Sequence, residues 1–234
     1  MLKFRAENVM TRSSFHFNAT VAVLLVSLVF ASSLRAQEVI SPPQGKGHVV
    51  VFLSGMAGPK HDKALAEAIA SLGYVVVVYD GRKMGAGLGQ KLRTAIENAQ
   101  RTPNALPGKV ALVGVSLGGG YALGFGARWT DLVAVDILWY PATGFVKRMP
   151  GFVNRITVPV FMFAGEADRY QDCCLIATAR TMAADATAAG IPFELVTYPG
   201  VDHDFIKGGA NYDPAAYNDA LVHTAARLKA AFAN

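Results

Sequence analysis

The feature that most constrains the fold is a series of short, almost wholly apolar runs rich in β-branched residues. Because apolar and polar side chains do not alternate within them, each run is expected to be buried on both faces. A parallel sheet covered by helices on both sides produces this pattern. The predicted strands are His48–Ser54, Tyr74–Asp80, Lys109–Ser116, Leu132–Tyr140, Val158–Gly165 and Phe193–Pro199.

Segments with helical spacing separate these runs. Apolar residues recur at intervals of three and four from Leu65 to Leu72, and Gly73 then marks a helix end. This single strand–helix rhythm predicts one α/β domain over residues 47–234. Its expected form is a three-layer α/β/α sandwich with a mostly parallel sheet of about six strands. Further helices are predicted after Ser116 and at about Gly89–Arg101, Cys173–Ala189 and Pro214–Phe232.

Residues 1–36 are typical of a targeting segment, a signal peptide or an N-terminal anchor. Basic residues precede the apolar run Ala19–Ala31, which is shorter than the ~20 residues of a membrane-spanning helix. The pattern fits a secretory signal cleaved after Ala36, although Leu34 stands where such signals carry a small residue. A cleaved signal predicts a periplasmic or secreted protein without stable membrane insertion, and an uncleaved anchor is the alternative. Residues 37–46, which include a Pro-Pro pair, are predicted to be a linker.

Charge and composition exclude two classes of protein. Hydrophobic residues make up 52% of the chain and charged residues 17%, which argues against a disordered protein. The formal net charge is +5, but residues 1–36 contain four of the 22 basic side chains and one of the 17 acidic ones. The remainder is therefore close to +2, and it has no basic run with interleaved aromatic residues. A nucleic-acid partner is not expected.

The strongest chemical signal is the G-x-S-x-G sequence from Gly114 to Gly118, with Ser116 at its centre. It lies between a predicted buried strand and a helix of small residues, where a nucleophilic serine can project its hydroxyl from a very tight turn. Glycines two residues before and after the serine relieve the crowding between strand and helix. Ser116 is therefore predicted to be a nucleophile.

A serine hydroxyl needs a base to become a good nucleophile. His203 follows the last predicted strand, at the carboxyl edge where open parallel sheets bind their ligands, and it is the predicted base. His61 follows the first strand and is expected to line the pocket at most, since it precedes the serine. The other histidines, in the targeting segment, at a strand start and within a helix, are His16, His48 and His223.

A carboxylate must fix the tautomer of the histidine and stabilise its charged form. Asp168 follows the fifth predicted strand at the same edge, which gives the chain order serine, aspartate, histidine. Immediate neighbours of a histidine rarely reach its Nδ1, so Asp168 is the predicted acid. The nearby alternatives are Glu166, Asp172, Asp202 and Asp204.

Attack on a carbonyl creates an oxyanion that needs two hydrogen-bond donors. The backbone N–H of Leu117, directly after the nucleophile, is one predicted donor. The other is expected in the loop after the first strand, and the backbone N–H of Met56 is preferred there. Gly55 and Ala57 are alternatives.

The two cysteines of the chain, Cys173 and Cys174, are adjacent. Neighbouring Cα atoms lie about 3.8 Å apart, below the usual range for a disulfide. The sequence therefore leaves open free thiols, a strained vicinal disulfide and an intermolecular role. The cysteines could brace the loop that follows Asp168. Without a second Cys/His cluster these residues make a poor zinc site.

Together these motifs resemble the α/β-hydrolase superfamily and, within it, the dienelactone-hydrolase-like family. The resemblance covers about residues 47–232 and rests on "GVSLGG", "AGEAD" and "YPGVDHDF". It implies a three-layer sandwich with minimal or no lid and without a cofactor or metal. Dienelactone hydrolase itself carries a cysteine as nucleophile, whereas this chain has Ser116, so a dienelactone is not implied as the substrate.

The favoured function is therefore a serine hydrolase that cleaves an ester, lactone or similar acyl bond in a small molecule. A non-catalytic exported binding protein and an acyltransferase are the alternatives. One segment, Trp139–Arg155, is a candidate cover for the site. Its basic and aromatic residues suggest a substrate with an anionic group beside an apolar one, or else simply a solvated loop. The basic residues are Lys147, Arg148 and Arg155, and the aromatic residues are Trp139, Tyr140, Phe145 and Phe152.

Overall fold

The structure is a computed structural model that describes residue 36 and residues 38–233. The predicted targeting segment thus lies almost entirely outside the described residues. Among the residues described, no helix combines the length and the apolar character needed to span a membrane.

A sheet of seven strands forms the centre of the described domain. Its spatial order is β1-β3-β2-β4-β5-β6-β7, and every neighbouring pair is parallel except β1 and β3. The six predicted strands are all present, with slightly shorter bounds. The strands are β1 Glu38–Ile40, β2 Val49–Leu53, β3 Val75–Tyr79, β4 Val110–Val115, β5 Val133–Trp139, β6 Val160–Gly165 and β7 Phe193–Tyr198.

The additional strand, β1, lies in the segment predicted to be a linker. It pairs antiparallel with β3, with Val39 opposite Val77. Three residues are too few to show a periodic pattern, and the strand exists because the edge of β3 offers unpaired backbone groups. The sheet therefore has seven strands rather than about six.

Helices cover both faces of the sheet, as the sequence predicts. Two apolar cores result, because successive strand side chains point to opposite faces: Val49, Val51 and Leu53 join one core, and Val50 and Phe52 the other. Helices α2, α3, α4 and α5 contribute to the first core, and α1 and α6 to the second. The helices are α1 Lys63–Ser71, α2 Leu88–Ala99, α3 Leu117–Phe125, α4 Met149–Val153, α5 Ile176–Ala188 and α6 Pro214–Ala231.

The carboxyl ends of the parallel strands meet at one edge of the sheet. The loops there carry Met56 after β2, Ser116 after β4, Asp168 after β6 and His203 after β7. Within the described residues, the segment between β5 and β6 contains only the five-residue helix α4, so the edge has no large lid. The fold thus gathers the predicted site residues in one place.

Candidate active site

Ser116 occupies a strained turn between β4 and α3. Its backbone has φ 48° and ψ −112°, a conformation that non-glycine residues rarely adopt. Strain of this kind costs on the order of 1–3 kcal/mol and persists only where the surroundings enforce it. Here the enforcement comes from the close approach of strand and helix, since a Cβ atom on Gly114 would lie 2.6 Å from the Cα of Gly119.

The same closeness makes Gly118 irreplaceable, and this gives a first testable prediction. A Cβ atom at Gly118 would lie 2.1 Å from the backbone oxygen of Leu53, and neither backbone can give way. We expect Gly118→Ala to lower the free energy of unfolding by at least about 3 kcal/mol, measured by urea denaturation. The control Gly151→Ala, where a Cβ meets nothing within 4 Å, should change it by less than about 1 kcal/mol. Equal effects of the two substitutions would contradict this account.

The three predicted polar residues are joined by hydrogen bonds. Ser116 Oγ lies 3.0 Å from His203 Nε2, and His203 Nδ1 lies 2.7 Å from Asp168 Oδ2. All three side chains are buried, with residue exposures of 7%, 6% and 1% for Ser116, His203 and Asp168. The chain therefore has a serine, an imidazole and a carboxylate in hydrogen-bonded series.

The alternative carboxylates engage other groups. Glu166 accepts hydrogen bonds from Arg180 and Thr197, and Asp202 accepts the backbone N–H of His203 itself. Asp204 contacts His61, and Asp172 is exposed. The geometry thus favours Asp168 as the partner of the His203 ring.

Two tyrosines hold the His203 ring, and the sequence analysis assigned neither of them this role. Tyr170 stacks on it with ring centroids 4.6 Å apart, and Tyr140 packs edge-on at 4.8 Å. Burial raises the pKa of Tyr140 well above its ordinary value, so its hydroxyl stays protonated and donates to Asp204 over 3.3 Å. Tyr140 follows β5 at the carboxyl edge, a position that could have revealed it, whereas no local signal identifies Tyr170.

The buried carboxylate of Asp62 holds the loop after β2 through a backbone hydrogen bond. Asp62 accepts a 2.7 Å hydrogen bond from the backbone N–H of Gly55, so that N–H group is already occupied. Within the described residues, no hydrogen bond engages the backbone N–H of Met56 or of Leu117. Both N–H groups can therefore donate a hydrogen bond to a bound ligand. Met56 and its neighbour Ala57 also line the cavity at Ser116.

Asp62 gives a second prediction, on stability. Burial raises its pKa from about 3.8 to about 6, against the opposing effect of the Gly55 N–H. Because the pKa of Asp62 is higher in the folded state than in the unfolded state, the folded state holds the proton more tightly. The contribution of Asp62 to the free energy of unfolding is therefore complete below pH 3.8 and is lost as the pH rises through about 6. We expect the unfolding free energy of Asp62→Asn, relative to that of the wild type, to rise by roughly 2–3 kcal/mol between about pH 4 and pH 7.5.

Urea denaturation at the two pH values measures this difference. The control Asp131→Asn removes an exposed carboxylate and should shift the unfolding free energy by a similar small amount at both. A pH-independent difference between Asp62→Asn and the wild type would show that Asp62 has no such pKa.

A second histidine–carboxylate pair lies on another wall of the site. His61 Nε2 is 2.9 Å and 3.1 Å from the two carboxylate oxygens of Asp204, and the backbone N–H of Ala210 donates to the same carboxylate. The hydrogen bond that His61 donates to the Asp204 carboxylate raises the pKa of His61. As expected from the sequence, His61 lines the pocket, and its own partner is not Ser116.

These residues surround a small cavity of about 140 Å³. Its walls combine Ser116 and His203 with apolar surface from Met56, Ala57 and Val115. A cavity of about 150 Å³ is large enough for one benzene molecule, so this one accommodates a group of similar size.

The structure joins Cys173 and Cys174 in a vicinal disulfide, one of the states that the sequence leaves open. The backbone oxygen of Cys173 accepts hydrogen bonds from the N–H groups of Thr143 and Gly144, at 2.7 Å and 2.8 Å. On the other side, Cys174 Sγ lies within 4.8 Å of Asp168 and His203. The disulfide therefore connects the loop of Asp168 with the segment that follows β5.

The basic residues of that segment do not line the cavity at Ser116. Lys147, Arg148 and Arg155 instead line a separate cavity on the side of α3 and α4. The interpretation that they select the charge of a substrate bound at Ser116 therefore has no support from the described geometry.

The sequence of the chain is similar to a known protein family and to individual known proteins. A family model described as "Dienelactone hydrolase family" matches residues 81–232. Two uncharacterized proteins of Mycobacterium tuberculosis, from strains CDC 1551 and H37Rv, are 28% identical to the chain. The alignment covers 68% of this chain but only 64% of each of theirs.

Solved structures also share the architecture. A Klebsiella pneumoniae protein that carries the name "Putative Dienelactone Hydrolase" has a crystal structure with a TM-score of 0.69. It is 19% identical to this chain over 80% of this chain and 90% of its own. A thermophilic esterase from Thermogutta terrifontis with bound propionate has a TM-score of 0.61 and 20% identity, over 80% of this chain and 85% of its own. At these identities the likeness establishes the fold.

Proposed function

The chain belongs to the dienelactone hydrolase family, and from that premise we propose that it is a serine hydrolase that cleaves small carboxylic esters or lactones. The observation that carries the proposal is the continuous hydrogen-bonded series Ser116–His203–Asp168 beside a cavity. A buried serine beside an imidazole that is itself oriented by a carboxylate is the arrangement that activates a hydroxyl group.

The proposed reaction begins with a proton transfer. His203 Nε2 takes the hydroxyl proton of Ser116 while Oγ attacks the carbonyl carbon of the substrate. The carboxylate of Asp168 holds the ring with Nδ1 protonated and stabilises the imidazolium that forms. Collapse of the tetrahedral intermediate passes the proton from His203 to the leaving alcohol and leaves an acyl-enzyme on Ser116. Water, deprotonated by His203, then releases the acid.

The tetrahedral intermediate carries a negative oxygen that needs hydrogen-bond donors. We assign this role to the backbone N–H groups of Leu117 and Met56. Leu117 begins α3, where unpaired N–H groups and the helix dipole favour negative charge. Gly55 is a weaker candidate than Met56, since its N–H already donates to Asp62.

The size of the cavity suggests which substrates fit and yields a third prediction. Space for a group about as large as benzene favours short acyl chains, and the similar Thermogutta esterase is described with bound propionate, a short carboxylate. We expect kcat/KM on p-nitrophenyl esters to fall by at least about 10-fold between the butyrate and the decanoate. Steady-state kinetics across the ester series measures this. A rate that rises with chain length would contradict the proposed acyl site.

A fluorophosphonate probe tests the proposed chemistry directly, because it reacts with activated serines. The folded protein should become labelled, with mass spectrometry locating the label on the peptide that contains Ser116, and urea-unfolded protein should not. No labelling and no turnover of the ester series by the folded protein would overturn the proposal. Tight ester binding without turnover would then favour a binding protein. Ester products formed with added alcohols would indicate acyl transfer.

We also propose that the protein is exported to the periplasm or secreted. Disulfides persist in oxidising compartments, and the bond between Cys173 and Cys174 supports such a location. N-terminal sequencing of the protein from its native source should give Gln37 as the first residue. A start at Met1 would exclude cleavage of a signal.

A further inference from the structure

A cavity beside the cover segment Trp139–Arg155 lies away from Ser116, and we infer that it is a second binding site, for an organic anion with an apolar body. Its volume is about 590 Å³, within the range of ordinary ligand sites. None of Ser116, Asp168 and His203 contributes to its walls, so the site is independent of the reaction proposed above. We call it the cationic cavity, and its lining includes Phe125, Arg128, Phe145, Lys147, Arg148, Phe152 and Arg155.

Four cations and no carboxylate line the cationic cavity. The ion pairs of residues 38–233 involve other arginine and lysine side chains and leave these four out. Lys147 donates instead to the backbone oxygen of Gly144. A concave wall lined by charges of one sign concentrates ions of the opposite sign.

Arg128 is the least solvated of the four cations. Its Nε atom is buried without a hydrogen-bond partner among the described residues, although buried polar groups ordinarily have one. Burial lowers the pKa of Arg128, and repulsion from Arg155 lowers it further. A negative group bound between these two guanidinium groups would counteract both effects and accept bidentate hydrogen bonds.

An aromatic surface adjoins the charges. The guanidinium carbons of Arg128 and Arg155 lie 5.5 Å and 5.9 Å from the ring centroid of Phe152. Phe145 packs edge-on against Phe152 at 5.7 Å and is 47% exposed. A polyanion or a bare inorganic ion would leave this apolar surface unused, whereas an amphiphilic carboxylate would cover it while its head group meets the arginines.

Isothermal titration of the purified protein with octanoate, octanol and sulfate separates the two parts of the proposed ligand. Octanoate should bind with one site per chain, and at least about 10-fold more tightly than either the neutral alcohol or the inorganic anion. Binding should persist after Ser116 has been blocked with a fluorophosphonate. Loss of binding on blocking would place the anion at Ser116 and overturn the inference.

Charge-removing variants locate the site. Arg128→Gln combined with Arg155→Gln should weaken octanoate binding by about 10-fold or more. The control, Arg101→Gln with Lys109→Gln, removes the same charge from exposed positions outside the cavity and should not weaken it comparably. Because Arg128 is partly buried, the exposed pair Lys147→Gln and Arg148→Gln provides a second test and should weaken binding by about threefold. Equal binding of sulfate or octanol, or unchanged affinity in both cavity variants, would overturn the inference.

Discussion

Ser116→Ala is expected to lower kcat on a short p-nitrophenyl ester by about 10⁵- to 10⁶-fold, with little change in KM. The substitution removes the oxygen atom that we propose as the nucleophile, while the cavity walls and the N–H groups of Leu117 and Met56 stay in place. What activity remains would come from these binding and oxyanion groups acting on water. Stopped assays with high enzyme concentration are needed to measure so small a rate.

The variant must be shown to be folded before its rate is interpreted. Alanine tolerates the backbone of position 116 no worse than serine does, since both carry a Cβ at φ 48°, so the melting temperature should stay close to that of the wild type. The fluorophosphonate label should disappear in the same sample. A folded variant that keeps more than about a hundredth of the wild-type kcat would exclude Ser116 as the nucleophile.

The elements that sequence analysis predicts best are those determined by local chemistry. The tight turn at Ser116 is predictable because it needs Gly114 and Gly118, and the structure shows how little space a Cβ would have at either. The strands are identified because burial on both faces demands unbroken apolar runs, and all five residues of β2 are buried. His203 and Asp168 follow from one further rule, that parallel strands bring their carboxyl ends to the same edge.

The features that the sequence does not reveal depend on residues far apart in the chain. His61 and Asp204 are separated by 143 positions, and nothing near either residue indicates that they pair. β1 forms only because β3 has a free edge. The two adjacent cysteines are a different case, because their state depends on the local backbone conformation, which residue spacing alone does not determine.

The basic residues of the candidate cover, Trp139–Arg155, are another feature whose location the sequence does not reveal. Their proximity in sequence to Tyr140, which lies at the site, suggests a role in binding the substrate. The chain turns away after Thr143, where the backbone oxygen of Cys173 holds it. Lys147 and Arg155 then reach a cavity on the side of α3. A segment that leaves the sheet edge can carry its side chains to another surface within a few residues.

Asp168→Asn is the second substitution with a large expected effect, and it should lower kcat by about 10⁴-fold. The asparagine amide has nearly the shape of the carboxylate, so its oxygen can still accept the backbone N–H of Tyr170, which Asp168 Oδ1 accepts at 3.0 Å. Its NH₂ group, however, donates to His203 Nδ1 and so favours the tautomer that carries the proton on Nε2. An imidazole in that form cannot take the proton of Ser116. Steady-state kinetics on the same short ester measures the loss.

The second histidine–carboxylate pair provides the matched control. Asp204→Asn changes the same group at the same kind of contact, but its partner is His61, which has no hydrogen bond to Ser116 within the described residues. We expect it to reduce kcat by at most about 10-fold, through the positions of Tyr140 and of the cavity wall rather than through the base. If Asp204→Asn instead costs as much as Asp168→Asn, the proton transfer does not depend on Asp168 alone, and the assignment of Asp168 as the single acid is wrong. A loss confined to Asp168→Asn would distinguish the carboxylate that orients His203 from the one that only shapes the cavity.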